Sequence, residues 1–459
     1  MTLFGTAGIR GPVRDDVTPE LALAVGRAAG VDGETFVVGR DGRVSGPALS
    51  AAVEAGLESA GADVRRLGQL PTPAVAFASQ GRRGAMITAS HNPPQDNGIK
   101  LFVDGVEYDR EAEEAVERRV EEGTSPAPWD EWGDGEDLDV LGAYRDAVVG
   151  YAREAVTDAA EPLDGLSVAV DCGNGMASLA TPQVLRELGA HVVALNANVD
   201  GHFPGRESKP TPESLADLRE FVGDDDAFDF GIGHDGDADR IVIVGPGGDV
   251  IHEDTVLAIL AHHYVETSNA DDPVVVTTPN ASARIDDRVR EAGGRVERVR
   301  LGSLHEGIAR EREAGDESTE IAFAAEPWKH IHTRFGGWID GVTSAAVFAS
   351  LVAREGGTAP LRDPVTERPY RKVSVECPDD RKAAAMERLA ESLPERFPEA
   401  DANTDYGVRV ELPDSSWVLV RPSGTEPYVR VYAESDDVDD LIDTATDAVE
   451  AAVEDAGAA

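Results

Sequence analysis

Three times along the chain, a short β-branched apolar run gives way to a loop, a stretch with helical spacing, a glycine and a second apolar run. The first copy starts at Thr35-Phe36-Val37-Val38-Gly39, passes through a helix near 49–60 and closes on Gly61-Ala62-Asp63-Val64. The second runs from Ser167-Val168-Ala169-Val170-Asp171 to Leu188-Gly189-Ala190-His191-Val192-Val193. The third runs from Val274-Val275-Val276-Thr277 to Ala292-Gly293-Gly294-Arg295-Val296. Each glycine reads as a helix C-cap, and the run after it as a buried strand. Strand–helix–strand is the βαβ unit, so the pattern predicts three related α/β domains with mixed sheets. The C-terminal segment has another rhythm: a strand at 371–376, a helix at 379–393, strands at 407–412, 417–421 and 428–433, and a closing helix at 437–454. That predicts an α+β domain. Residues 121–139 are polar and rich in Gly, Pro and Asp, and read as a loop.

Composition narrows the partners. The 459 residues carry 87 acidic and 42 basic side chains, a net charge of −45. A surface so acidic repels nucleic acid and anionic membranes, so neither is expected as a partner. Only five of the basic residues are lysines. Abundant Asp and Glu with so little Lys suggests a halophilic cytoplasm, where molar salt cuts the range of self-repulsion to roughly 3 Å. Cys172 and Cys377 cannot build a disulfide framework and fit a reducing compartment. With no leader-like segment and no long apolar run, a soluble, cytoplasmic protein is expected. Three of the five lysines, Lys100, Lys209 and Lys329, fall in segments that also carry candidate chemistry.

The first such segment is 88–100, TASHNPPQDNGIK. A short apolar run at 84–87 precedes it, so Ser90 lies where a strand breaks into a loop, the usual place for chemistry in α/β folds. A seryl hydroxyl needs a base or a metal to act as a nucleophile, and His91 and Lys100 stand close by in sequence. The second is 228–244, FDFGIGHDGDADRIVIV, which places Asp235, Asp237 and Asp239 at two-residue spacing on a loop between strands. Alternating carboxylates can converge on one hard cation, and Mg²⁺ suits few protein oxygens plus phosphate. An EF-hand would carry Glu where Pro246 stands. A haloacid-dehalogenase-type Asp nucleophile would not be followed by a third Asp and Arg240. The third is 420–432, VRPSGTEPYVRVY, where Arg421, Ser423, Gly424 and Thr425, with Arg430 on the next strand, could clamp an oxyanion.

Together these segments resemble the α-D-phosphohexomutases, the superfamily of phosphoglucomutase, phosphomannomutase and phosphoglucosamine mutase. The 88–100 stretch resembles the family's phosphoserine loop, 228–244 its metal loop and 420–432 its terminal phosphate clamp. FGTAGIRG at 4–11 resembles the family's opening segment, with Arg10 reaching the active-site phosphate, and GRESKPTPE at 205–213 a Pro-rich loop. The resemblance implies four domains around a central cleft: 1–143 with the phosphoserine loop, 144–253 with the metal loop, 254–366 with a sugar-recognition loop and 367–459 with the phosphate-binding loop. It implies an isomerase in which Ser90 carries phosphate between C1 and C6 of a hexose through a 1,6-bisphosphate, which also serves as activator. Ser90 and the three Asp would hold Mg²⁺. Lys100 and His91 are the candidate base and acid, and Arg10 and Arg240 would stabilise charge on the transferring group.

The sugar loop departs from the family's Gly-Glu-x-Ser-Gly-His. Residues 325–330 read Ala-Glu-Pro-Trp-Lys-His. Glu326 and His330 match, while Trp328 and Lys329 replace Ser and Gly. Glu326, His330, Lys329 and Gly302 of the neighbouring loop are the expected substrate contacts. Glucose and mannose phosphates are the first expectation for substrate and glucosamine 6-phosphate the alternative. A non-catalytic sugar-phosphate sensor is the minor one, and a phosphatase of the haloacid class would tolerate loss of Ser90.

Overall fold

The computed structural model describes residues 3–5, 8–157, 159–224, 227–423 and 426–457. Gly424 and Thr425, both expected in the phosphate clamp, lie outside the described residues. The chain forms two compact units, Met1–Val256 with Ala322–Arg362 and Leu257–Ile321 with Asp363–Ala459. The division passes through the expected third domain, 254–366, and leaves the third repeat whole in the second unit.

In the first unit, strands Thr35–Arg40, Asp63–Gln69 and Arg83–Ile87 run parallel. Asp96–Val103 then turns back antiparallel beside Arg83–Ile87, and Ile9–Pro12 lies antiparallel outside it. The mixed sheet therefore brings the N-terminal strand, with Arg10 opposite Gly98, next to the strand that carries Lys100. In a second mixed sheet, Ser167–Asp171 is flanked in parallel by His191–Leu195 at the edge and Phe230–His234 at the centre. Ile241–Val244 follows antiparallel. Phe36, Val38, Ile87, Ile99 and Leu57 fill the first core. Leu215, Leu218, Val242 and Val244 belong to a second. The hairpin of Thr319–Glu326 and Lys329–Ile331 and the buried helix Gly341–Glu355 complete this unit, the helix packing on Leu141–Val156.

In the second unit, Asp272–Thr277 and Arg295–Arg298 pair in parallel. A five-stranded antiparallel sheet runs in the order Tyr370–Glu376, Tyr428–Glu434, Trp417–Pro422, Val408–Glu411, Asp401–Asn403. Helices Asp379–Glu395 and Val438–Gly457 cover it with a core of Leu389, Leu393, Ile442 and Val449. Its two chain segments are joined by buried charge. Arg284 donates to Glu434 at 2.7 Å, and Trp417 Nε1 donates to the other carboxylate oxygen at 3.0 Å. Arg409 donates to the Pro279 carbonyl at 2.6 Å and lies 4.3 Å from the Trp417 ring.

Three domains of α/β type with mixed sheets, closing on an antiparallel α+β domain, are the architecture expected. Two local expectations fail. The strands after the C-cap glycines are only part-buried: His191–Leu195 and Arg295–Arg298 are edge strands, so one side has no neighbouring strand. Nor is 121–139 all loop. Helix Arg110–Glu122 runs into it, and Gly135–Asp137 pairs with Val64–Arg66. Among the described residues, no helix is long and apolar enough to cross a membrane.

Candidate active site

Ser90 follows the parallel strand Arg83–Ile87 by three residues, in a loop forced to reverse because Asp96–Val103 returns antiparallel. Its backbone is left-handed, φ +50°, a conformation that non-glycine residues hold only when their surroundings fix it. Here they do. The Ser90 amide donates to Thr88 Oγ1 at 2.9 Å. The fully buried guanidinium of Arg43 donates to the carbonyls of Ser90 (2.9 Å), Asn92 (2.7 Å), Pro93 (2.6 Å) and Asp96 (3.0 Å). Asp41 pairs with Arg43 at 3.0 Å, and Phe203 lies 5.1 Å from the guanidinium. Ser208, in the 205–213 segment, donates to the Asn92 carbonyl at 2.8 Å.

The three aspartates lie on the turn between the antiparallel strands Phe230–His234 and Ile241–Val244, which fixes both ends of the loop. Asp235, Asp237 and Asp239 are buried, and one oxygen from each falls within 4.8 Å of the others. Ser90 Oγ donates to Asp235 Oδ2 at 2.7 Å, so the serine stands at this cluster. Gly236 packs under it: a Cβ there would lie 2.7 Å from the Ser90 carbonyl oxygen. Asp237 Oδ2 accepts from Thr72 Oγ1 at 2.7 Å and lies 3.2 Å from Thr88 Oγ1.

Two features of this cluster fit a hard divalent cation. Asp237 Oδ1 and Asp239 Oδ1 are buried with no hydrogen-bond donor, which is costly unless something else satisfies them. Burial, with the charges of Asp239 and Asp237, raises the Asp235 carboxyl well above the usual range, the mark of like charges crowded together.

Cations ring the cluster. Lys100 Nζ is 3.0 Å from Asp239 and 3.4 Å from Glu107. Arg240 Nε is 3.7 Å from both Asp235 and Asp239. Burial would raise Asp239, but Lys100, Arg240 and Lys329 hold its carboxyl well below the usual range. Burial would likewise depress Lys100, yet Asp239 and Glu107 keep its ammonium above its ordinary value. Lys100 thus stands as a cation held between two carboxylates. His91 is the opposite case: burial, with Arg240 and Arg10, lowers it to about 3, so the ring is neutral. Its Nδ1 lies 3.3 Å from Ser90 Oγ.

The hairpin tip 326–329 sits beside the metal loop, since Arg240 and Lys329 form an antiparallel bridge and Ile241 donates to the Trp328 carbonyl at 3.2 Å. Lys329 Nζ is 3.7 Å from Glu326, and both side chains are about one-seventh exposed (15% and 14%). His330 does not share this exposure. It is buried between Ser344 Oγ, 3.1 Å from its Nδ1, and Phe323, and burial lowers it to about 3. The alternation of the strand puts its side chain on the core face, so the expected substrate contact is a core residue. Trp328 also packs inward, against the cluster of Phe228, Val242 and Val244.

In the second unit, Arg421 stands opposite Arg430 on paired strands and donates to the Tyr432 hydroxyl at 2.9 Å. Ser423 is buried, its amide donating to the Tyr428 carbonyl at 2.9 Å. Arg430 is ion-paired with Glu426. Lys382 donates to the Ser423 carbonyl at 2.7 Å and to the Glu426 carbonyl at 2.5 Å, holding both sides of the loop. Gly302, with φ +82°, precedes the helix Leu304–Ala314. Arg43, Asp41, Thr72, Thr88 and Lys382 are the residues that sequence reasoning missed. For Arg43 a signal existed, a charged Asp-Gly-Arg turn at the end of an apolar strand.

Family models match the chain in four consecutive stretches. They describe phosphoglucomutase/phosphomannomutase alpha/beta/alpha domain I over residues 1–127, domain II over 143–248, domain III over 252–369 and the C-terminal domain over 373–451. A phosphopentomutase of Thermococcus kodakarensis is 41% identical over 445 residues, 95% of this chain and 94% of its own. A probable phosphoglucosamine mutase of Methanopyrus kandleri is 42% identical over 445 residues, 94% of each chain. Among solved structures, a phosphoglucomutase/phosphomannomutase family protein from Burkholderia thailandensis matches with a TM-score of 0.85 at 26% identity, covering 98% of this chain and 97% of that one.

Proposed function

Because the chain belongs to the α-D-phosphohexomutase superfamily along nearly its whole length, we propose that it moves phosphate between C1 and C6 of a neutral hexose, glucose or mannose phosphate first. It is an isomerase, an intramolecular phosphotransferase. The observation that carries the reading is Ser90 Oγ held 2.7 Å from Asp235 at the edge of three buried carboxylates.

In this reading Ser90 bears the phosphoryl group at rest. A sugar hydroxyl attacks the phosphorus, the bond to Ser90 Oγ breaks with its electron pair leaving on Oγ, the hydroxyl's proton ends on that oxygen, and a 1,6-bisphosphate forms. The intermediate turns over, and Ser90 Oγ attacks its other phosphate: the phosphorus–sugar oxygen bond breaks with its electron pair on the sugar oxygen, and neutral His91 takes the seryl proton through Nδ1 and passes it on to that oxygen. Arg240, Lys100 and Arg10 lie where charge builds on the transferring group. Asp235, Asp237, Asp239 and the serine oxygen would hold Mg²⁺, which supplies further charge neutralisation on that group when bound. Arg421, Ser423, Gly424, Thr425 and Arg430 would grip the phosphate that is not transferring, and Glu326, Lys329 and Gly302 would meet the sugar. A hexose 1,6-bisphosphate would prime the free serine.

Two further substrates have a specific ground in the relatives' names: glucosamine phosphate and a pentose phosphate. A coupled assay with Mg²⁺ and a trace of the matching bisphosphate decides, offering glucose, mannose, glucosamine and ribose 1-phosphates in parallel. Turnover of glucose or mannose 1-phosphate as the best substrate is expected. A preference for ribose or glucosamine 1-phosphate would overturn the hexose assignment, and no turnover of any would overturn the mutase reading.

A further inference from the structure

Of the two residues that replace the family's Ser-Gly, the structure sends one away from the sugar loop and leaves the other in it. Pro327 and Trp328 form the two-residue turn between paired Glu326 and Lys329. Trp328 takes φ +68°, and its ring packs against a core of Phe228, Val242 and Val244. Lys329 keeps a side chain that is 15% exposed, with Nζ 3.7 Å from Glu326, and its charge interacts with those of Asp239, Arg240, Lys100 and His91. A glycine at this position would bring no charge. Here a cation is fixed beside the carboxylate expected to meet the sugar, and the bridge to Arg240 ties its backbone to the metal loop.

We propose that Lys329 makes the site select against cationic amino sugars: its ammonium neutralises Glu326, repels the ammonium of a glucosamine phosphate and donates to the hydroxyls of a neutral sugar. The inference rests on the proposed mutase reading and deepens it. Two like charges about 5 Å apart at an effective dielectric near 20 differ by roughly a hundredfold in relative rate. Glu326 and Asp239 are the acidic groups that oppose this repulsion, and each already faces a cation, Lys329 for the first and Lys100 for the second. A neutral hexose suffers no such penalty. Lysine also places three donors where a Ser-Gly pair would place one hydroxyl.

The test compares glucose 1-phosphate with glucosamine 1-phosphate, which differ only at C2, by kcat/KM in the wild type, Lys329→Gln and Lys329→Arg. The wild type is expected to favour glucose by at least tenfold. That ratio should fall at least tenfold in Lys329→Gln and survive in Lys329→Arg, which keeps the charge. A merely structural role would lower both substrates together and leave the ratio in place. A wild type that prefers glucosamine, or a ratio unchanged in Lys329→Gln, would overturn the inference while leaving the mutase reading intact. Absence of turnover with every sugar in the wild type would remove both.

Discussion

Arg43 shows how much of the site depends on a residue that touches no expected ligand. It is fully buried, paired with Asp41, and donates to four carbonyls of the serine loop. Replacing it with methionine keeps the volume but strands Asp41, whose carboxyl burial already raises to about 6. Breaking a buried pair in this way costs about 3–5 kcal/mol. Arg43→Met should lower stability by that amount in urea unfolding, and any folded fraction should lose phosphorylation of Ser90. Arg43→Lys should recover little, because a point charge cannot fork to four carbonyls. An unchanged unfolding midpoint for Arg43→Met would contradict this account. At this scale the sequence was most legible for Ser90 and the three aspartates, whose chemistry and spacing are local. His330 was not legible, because its role depends on which face of the hairpin points to Ser344, and no short pattern encodes that.

The serine loop and the metal loop come from different sheets and meet without a spare atom between them. Gly236 lies against the Ser90 carbonyl, and its own carbonyl oxygen would be 2.5 Å from a Cβ at Gly175. Gly236→Ala should therefore push the two loops apart and cut kcat/KM at least a hundredfold, since small misplacements are expensive in phosphoryl transfer. Because the methyl meets loop backbone rather than core, the loss of stability should stay near 1–3 kcal/mol, the range for overpacking. Kinetics and thermal unfolding of the same variant check both halves, and full activity in a folded protein would refute the contact. The elements themselves were largely legible. Strands Ser167–Asp171 and Phe230–His234 lie where the apolar runs predict them. What the pattern missed were short edge strands such as Asp401–Asn403 and Gly135–Asp137, too brief and polar to show an alternation.

At the scale of the whole molecule, four similar-sized segments are grouped into two units. That grouping follows long-range contacts invisible to local pattern, such as Arg284 with Glu434 and Arg409 with the Pro279 carbonyl. Buried histidines give the fold a definite response to acid. Burial lowers His330 to about 3 from an ordinary 6.5, so below pH 6.5 the unfolded chain takes up a proton that the folded one refuses. Its contribution is fully present above pH 6.5 and is lost as pH falls toward 3, at about 1.4 kcal/mol per pH unit. His330→Gln should flatten the fall of stability between pH 6.5 and 4 by that slope in denaturant titrations; an unchanged slope would contradict the burial. The central claim, that Ser90 carries the phosphoryl group, has a more direct test. Wild type and Ser90→Ala would be incubated with Mg²⁺ and a hexose 1,6-bisphosphate, followed by intact mass and peptide mapping, then chased with hexose monophosphate. The account predicts one phosphoryl group, on Ser90, discharged by the chase and absent from the variant. Phosphate on another residue, or a Ser90 phosphate that the chase leaves in place, would contradict it.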